Sequence, residues 1–244
     1  DKNIKKKNLL NKKKSILIVG GTGFIGYHLA KTALKKNFQI TSLSSKKPKK
    51  FRKLPKVKYI LCDISKKKIL EKKLKKKNYD YVVNLGGYVD HTNKSKTYHS
   101  HYNGCKNLAS IFLKKKIISF VQIGSSVEYG KYNSPHKETL NCNPIKQTST
   151  YGKAKLLSTL YLLKLFEKFK FPVTILRLYL SYGPRQDINR FLPIIINGCI
   201  NNLKFPCSAG SQYRDFIHVK DVVRAIFKSL TNQKARGEIF NVGS

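Results

Sequence analysis

The chain has no methionine and no tryptophan, and only 12 of its 244 residues are acidic against 50 that are basic. It also lacks a long apolar run. Stretches such as Ser15–Val19 and Leu192–Ile196 fall far short of the ~20 residues a spanning helix needs, so no membrane association is expected. The five cysteines (Cys62, Cys105, Cys142, Cys199, Cys207) form no C-x-x-C pair and are odd in number. Neither a disulfide framework nor a zinc site is suggested, and a reducing cytoplasm fits. Residues 1–14 are basic without an apolar stretch that could act as a signal, and read as a loose tail. With Asp1 at its start and no methionine, the chain is expected to be a fragment.

What is abundant is lysine. The formal charge is +38, yet arginine occurs only at positions 52, 177, 185, 190, 214, 224 and 236. Nucleic-acid readers lean on arginine for bidentate and stacked contacts. Here lysine is spread over tails, helix faces and turns, as compositional drift produces. The expectation is a solvated lysine surface with salt-dependent affinity for polyanions and no specific nucleic-acid partner.

Short runs rich in Ile and Val alternate with longer lysine-faced stretches, which predicts βαβ units and a parallel sheet buried on both faces. Strands are expected at 16–19, 39–43, 57–61, 81–85, 119–123, 173–178 and 239–242. Helices are expected at 25–35, 67–75, 102–114, 151–169 and 220–230, with Leu157, Leu160, Leu163 and Phe166 as the sheet-facing stripe of the fourth. Right-handed crossovers make this an α/β, doubly wound Rossmann sheet. The proline-bearing segment 130–150 reads as a long functional loop.

Directly after the first strand, Gly20-Gly21-Thr22-Gly23-Phe24-Ile25-Gly26 matches the dinucleotide-binding turn G-x-G-x-x-G. Glycine is needed because the turn is tight, the pyrophosphate approaches bare backbone, and helix and strand pack closely. Gly20, Gly23, Phe24, Ile25 and Gly26 are thus expected to seat the phosphates at a helix N-terminus. An NAD site usually carries an acid at the end of the second strand. This chain has Ser44-Ser45-Lys46-Lys47 there, so Ser44 and Lys46 are expected at the ribose, and the reading leans to NADP over NAD. Asp63, with Ile64 beside it, follows the third strand and is placed at the adenine.

Redox chemistry at a secondary alcohol needs a proton acceptor, and a tyrosine serves where a nearby cation favours its ionised form. Tyr and Lys at i, i+4 share a helix face. With 14 tyrosines among 244 residues, about three such pairs arise by chance, and three occur: Tyr27–Lys31, Tyr102–Lys106 and Tyr151–Lys155. Position selects the last, which opens the helix after the long loop. That loop leaves the fifth strand at Gly124-Ser125-Ser126, the edge where open α/β sheets bind ligands.

Taken together, the glycine turn, Asn84-Leu85-Gly86-Gly87, Gly124-Ser125-Ser126-Val127-Glu128-Tyr129-Gly130, Tyr151-Gly152-Lys153-Ala154-Lys155, Leu176-Arg177-Leu178-Tyr179, Tyr182-Gly183-Pro184-Arg185-Gln186, Arg214-Asp215-Phe216-Ile217-His218 and Phe240-Asn241-Val242-Gly243 resemble the extended short-chain dehydrogenase/reductases. Within these, the resemblance is to the NAD-dependent epimerase/dehydratase group acting on nucleotide sugars, over nearly the whole chain. It implies Tyr151 as acid/base and Lys155 on the nicotinamide ribose, both touching cofactor, with Leu85 and Gly86 also lining the cofactor site. It implies Ser125 on the substrate oxygen with Ser126 as understudy, and Arg214 on the substrate diphosphate. Dehydratases of the group carry an acid one or two positions after the catalytic Ser/Thr; here stand Ser126 and Val127, with Glu128 one step late. Leu180 replaces an Asn common in epimerases, and His101 replaces another, where it reads as a packed core histidine.

The expected organisation is a tail (1–14), a Rossmann domain (15–178), the start of a small, C-terminally incomplete substrate-binding lobe (179–214), and a return to the sheet (215–244). The leading expectation is a nucleotide-sugar epimerase. An NADPH-dependent keto-sugar reductase is the alternative, and a non-catalytic dinucleotide-binding protein the third reading. The resemblance also implies a homodimer through the helices at 102–114 and 151–169.

Overall fold

The computed structural model describes residues 13–88 and 90–244. Most of the expected tail, residues 1–12, lies outside the described residues. The elements run β1 (Ser15–Val19), α1 (Phe24–Lys35), β2 (Gln39–Ser44), β3 (Val57–Leu61), α2 (Lys67–Leu74), β4 (Tyr81–Asn84), α3 (Lys94–Tyr98), α4 (Gly104–Leu113), β5 (Ser119–Ser125), α5 (Thr150–Phe169), β6 (Val173–Leu178), β7 (Leu180–Tyr182), α6 (Phe191–Ile200), β8 (Phe216–His218), α7 (Val219–Thr231) and β9 (Ile239–Val242). A seven-stranded parallel sheet has the order β3-β2-β1-β4-β5-β6-β9, and β7 pairs with β8 in a separate two-stranded sheet. Winding reverses between β1 and β4, so the fold is the doubly wound Rossmann type and ligand-binding loops gather at the carboxyl ends of these strands.

Alternate residues of each strand feed opposite faces. Leu17 and Val19 join a core with α2, α4 and α5, while Ile16 and Ile18 join one with α1 and α7. Both faces are dry, which explains the near-continuous apolar strands in the sequence.

Two local expectations are corrected. On α5 the buried stripe is Lys155, Ser158, Thr159, Leu162 and Leu165, whereas Leu160 is 41% exposed. Repeated steps of three drift around a 3.6-residue helix, and the side that docks follows 3-and-4 spacing. The helix expected from residue 102 begins at Lys94, where the Asn93 side chain accepts from Lys96 N (2.9 Å), and passes through a π-helical turn at His99–Asn103. Its first turns are polar and gave no apolar period. The run Leu192–Ile196 lies in α6, with Pro193 in the first turn, where its missing N–H is harmless.

Candidate active site

The β1–α1 turn is built for close approach. Gly20 sits at φ +80°, where a Cβ would meet the Leu85 carbonyl at 2.9 Å, and a Cβ on Gly26 would lie 2.4 Å from the Gly20 oxygen. Helix α1 therefore starts directly on the turn. It has no side-chain cap and no acid in its first turn. The first N–H groups, at Phe24, Ile25 and Gly26, precede the helical bond from Tyr27 N to the Gly23 oxygen (2.9 Å) and form the positive end of the dipole. A pyrophosphate fits this cradle both sterically and electrostatically.

At the next strand ends, Ser44 is buried and its Oγ accepts from Thr22 N (3.3 Å), tying β2 to the glycine turn. Lys46 is exposed beyond it. Asp63 is also exposed, and its Oδ1 accepts from Ser65 N (2.9 Å) as a loop cap. Ile64 is buried beneath Gly86 and Gly104. Leu85, whose N–H donates to the Val19 oxygen (2.9 Å), and Gly86, whose N–H donates to Asn84 Oδ1 (3.0 Å), line the switch point between β1 and β4.

The other half of the edge carries Ser125, Tyr151 and Lys155. Ser125 ends β5 and is the N-cap of a 3-10 turn, its Oγ accepting weakly from Val127 N (3.5 Å) and keeping its own O–H to donate. Ser126 is the first residue of that turn and half-buried. Tyr151 opens α5, whose N-cap Ser149 accepts from Gly152 N (3.0 Å). Gly152 packs on the 3-10 turn: a Cβ there would lie 3.1 Å from the Val127 oxygen. The tyrosine is thereby set beside the end of β5. One helical turn on, Lys155 is buried and donates to the Ile123 oxygen (2.7 Å), with its Nζ 5.8 Å from the Tyr151 ring centroid. Among the described residues, Arg214 makes no hydrogen bond to this cluster. It lies exposed in the segment entering β8, its Nη1 on the Tyr213 oxygen (3.0 Å).

Two features went unread in the sequence. Glu128, fully buried, accepts from Ser125 N (2.9 Å) through Oε1, and from Thr159 Oγ1 (2.8 Å) and Arg177 Nε (2.9 Å) through Oε2. One carboxylate thus fixes Ser125 against β6 and α5. The S-x-x-E spacing of a capping box, Ser125 to Glu128, was the available signal. The second is a clasp: buried Arg52 donates through Nε to the Arg185 oxygen (3.1 Å) and pairs with Asp187 (3.2 Å), as does Lys49 (2.6 Å). His28 Nε2 lies 2.7 Å from the Pro184 oxygen. The β7–α6 loop is thereby pinned across α1 to the β2–β3 loop. No local pattern links residues 133–138 positions apart.

The model of the NAD dependent epimerase/dehydratase family matches residues 16–243. The chain belongs to that family. A human dTDP-D-glucose 4,6-dehydratase is 28% identical over 95% of this chain and 69% of its own length. A putative UDP-glucose 4-epimerase of Methanocaldococcus jannaschii is 28% identical, over 94% and 76%. Among solved structures, the UDP-glucose 4-epimerase of Thermotoga maritima with UDP-glucose superposes with a TM-score of 0.86 at 22% identity, over 94% of this chain and 77% of that one. The family is NAD-dependent, and a nicotinamide dinucleotide fits the cradle described above. Among the described residues no helix is long and apolar enough to cross a membrane.

Proposed function

We propose that the chain is a nucleotide-sugar epimerase working by transient hydride transfer. The observation that carries this reading is the meeting of Ser125, Tyr151 and Lys155 at the carboxyl edge of the sheet, next to a dinucleotide cradle. A bound nicotinamide dinucleotide supplies hydride acceptance and return. Tyr151 takes the proton of a sugar hydroxyl held by Ser125, and later gives it back. Lys155, held on the Ile123 oxygen beside the Tyr151 ring, would supply a cation to the phenol and to the nicotinamide ribose. Arg214, exposed in the segment before β8, supplies a cation for the diphosphate.

Family relatives include dehydratases, but this site argues against that reaction. Ser126 and Val127 stand where the dehydratase acid is expected, and Glu128 is committed to Ser125, Thr159 and Arg177. The second reading, a keto-sugar reductase, is favoured by the ribose end, where Ser44 replaces a carboxylate and exposed Lys46 follows; this also supports NADP over NAD. Dissociation constants for both cofactors decide the preference, and Ser44→Asp is expected to move it toward NAD. Incubation with nucleotide sugars separates the reactions: isomer interconversion without net cofactor change supports the epimerase, and stoichiometric loss of reduced-cofactor absorbance supports the reductase. Tyr151→Phe is expected to abolish turnover while sparing cofactor affinity, and retained turnover refutes the mechanism.

A further inference from the structure

Three aromatic rings meet where the loop after β4 reaches the start of α5. The His91 ring lies nearly parallel to that of Tyr151, with centroids 4.0 Å apart and planes at 16°. His101 meets the same tyrosine edge-on at 4.9 Å and 74°, and the two imidazoles are 6.0 Å apart. Their settings differ. His101 is buried on the π-helical turn, with Nε2 3.2 Å from the Tyr88 oxygen, and burial followed by the charge of Lys155 pushes it down to about 2. It is a fixed, neutral wall. His91 comes from an exposed loop, yet the chain is tied down on both sides of it: Asp90 Oδ1 accepts from Thr92 N (3.1 Å) and Thr92 Oγ1 (2.7 Å), and Asn93 caps α3.

We propose that His91 is a positioning residue, its stacked imidazole holding the Tyr151 ring in the orientation that presents the phenol oxygen to a sugar hydroxyl at Ser125. The inference rests on the reading of Tyr151 as acid/base. Ser125 and Lys155 are fixed through backbone contacts, at Glu128 and at the Ile123 oxygen. Tyr151 sits in the first turn of its helix and is only half-buried, so ring packing is what restrains it. Displacing a reacting group by about 1 Å costs on the order of 10²-fold in rate, which makes an aromatic neighbour on the ring face consequential. The imidazole suits this task because it is flat and uncharged near neutral pH. Burial against the tyrosine, then the charges of Arg190 and Lys155, lower its pKa against the opposing pull of Asp90. His101 and Lys155 also lie beside the tyrosine ring.

The test pairs His91→Leu, which keeps bulk without a planar ring, with His91→Phe, which keeps the stack. His91→Leu is expected to lower kcat by roughly 10-fold with the dinucleotide dissociation constant unchanged, and His91→Phe to restore most of the loss. A second measurement is independent of turnover. The His91 ring protons, among only six histidines, are expected upfield in the proton NMR spectrum, moving toward the unstacked position in Tyr151→Leu and staying in Tyr151→Phe. Equal kcat for the wild type and both variants, or ring protons indifferent to Tyr151→Leu, overturns the proposal. If no nucleotide sugar is turned over, the epimerase reading fails and the NMR arm still decides the stacking.

Discussion

Replacing Glu128 with glutamine is the sharpest single perturbation of this protein. The carboxylate is 0% exposed and its partner Arg177 is 2% exposed, and it receives three hydrogen bonds of 2.8–2.9 Å from β5, β6 and α5. Glutamine matches the shape but removes the charge, leaving the guanidinium buried without a counterion. Arg177 Nη1 already lacks a hydrogen-bond partner among the described residues, so the pair with Glu128 carries the compensation of this buried charge. Breaking one side of a buried pair costs about 3–5 kcal/mol. For a chain of this length that corresponds to a fall in Tm of roughly 6–20 °C. Since native stability is about 5–15 kcal/mol, the variant is expected to fold at low temperature. Calorimetry of both proteins at neutral pH measures the shift. Activity at a temperature where both are folded is expected to fall as well, because Ser125 loses the bond that sets its backbone. A melting temperature within 2 °C of wild type refutes the reasoning. So does full stability with lost turnover, which would make Glu128 a reacting acid rather than the brace of Ser125.

Against the upward push of partial burial, hydrogen bonds and charge from Lys49 and Arg52 hold the Asp187 carboxyl below its usual range. A lowered native pKa gives stabilisation that is present above the ordinary value of 3.8 and lost as pH falls through the native one. Asp187→Asn is therefore expected to be less stable than wild type at pH 7, the gap narrowing only as pH falls below 3.8 and through the lowered native value; urea titrations at several pH values measure it. His101 gives an acid signature of the same sign in a higher pH window. On unfolding it regains a pKa near 6.5, so below that pH the unfolded chain takes up a proton the native one refuses. Stability is expected to fall by about 1.4 kcal/mol per pH unit from this group, and His101→Asn to flatten the slope in urea titrations at several pH values. A homodimer through α4 and α5 would cover Leu160, 41% exposed on α5. Leu160→Lys is then expected to halve the mass seen by light scattering, and an unchanged mass removes this helix face from the interface.

The amino-acid sequence by itself determined the alternation of strand and helix, the parallel sheet and the cradle at Gly20–Gly26. These rest on periodicity and on glycine at fixed offsets, and both are local. The expectation of Tyr151–Lys155 over Tyr27–Lys31 and Tyr102–Lys106 rests on position after the fifth strand, which is a matter of order along the chain. What only tertiary structure decided are the contacts between distant segments. Glu128 reaches Arg177 across 49 positions and Asp187 reaches Lys49 across 138. His91 lies on Tyr151, from a loop whose polar residues carry no period. The side of α5 that docks was also settled by packing, since Leu157, Leu160 and Leu163 are as apolar as Leu162 and Leu165. The sheet needs one face of that helix, and the neighbours it meets there choose which.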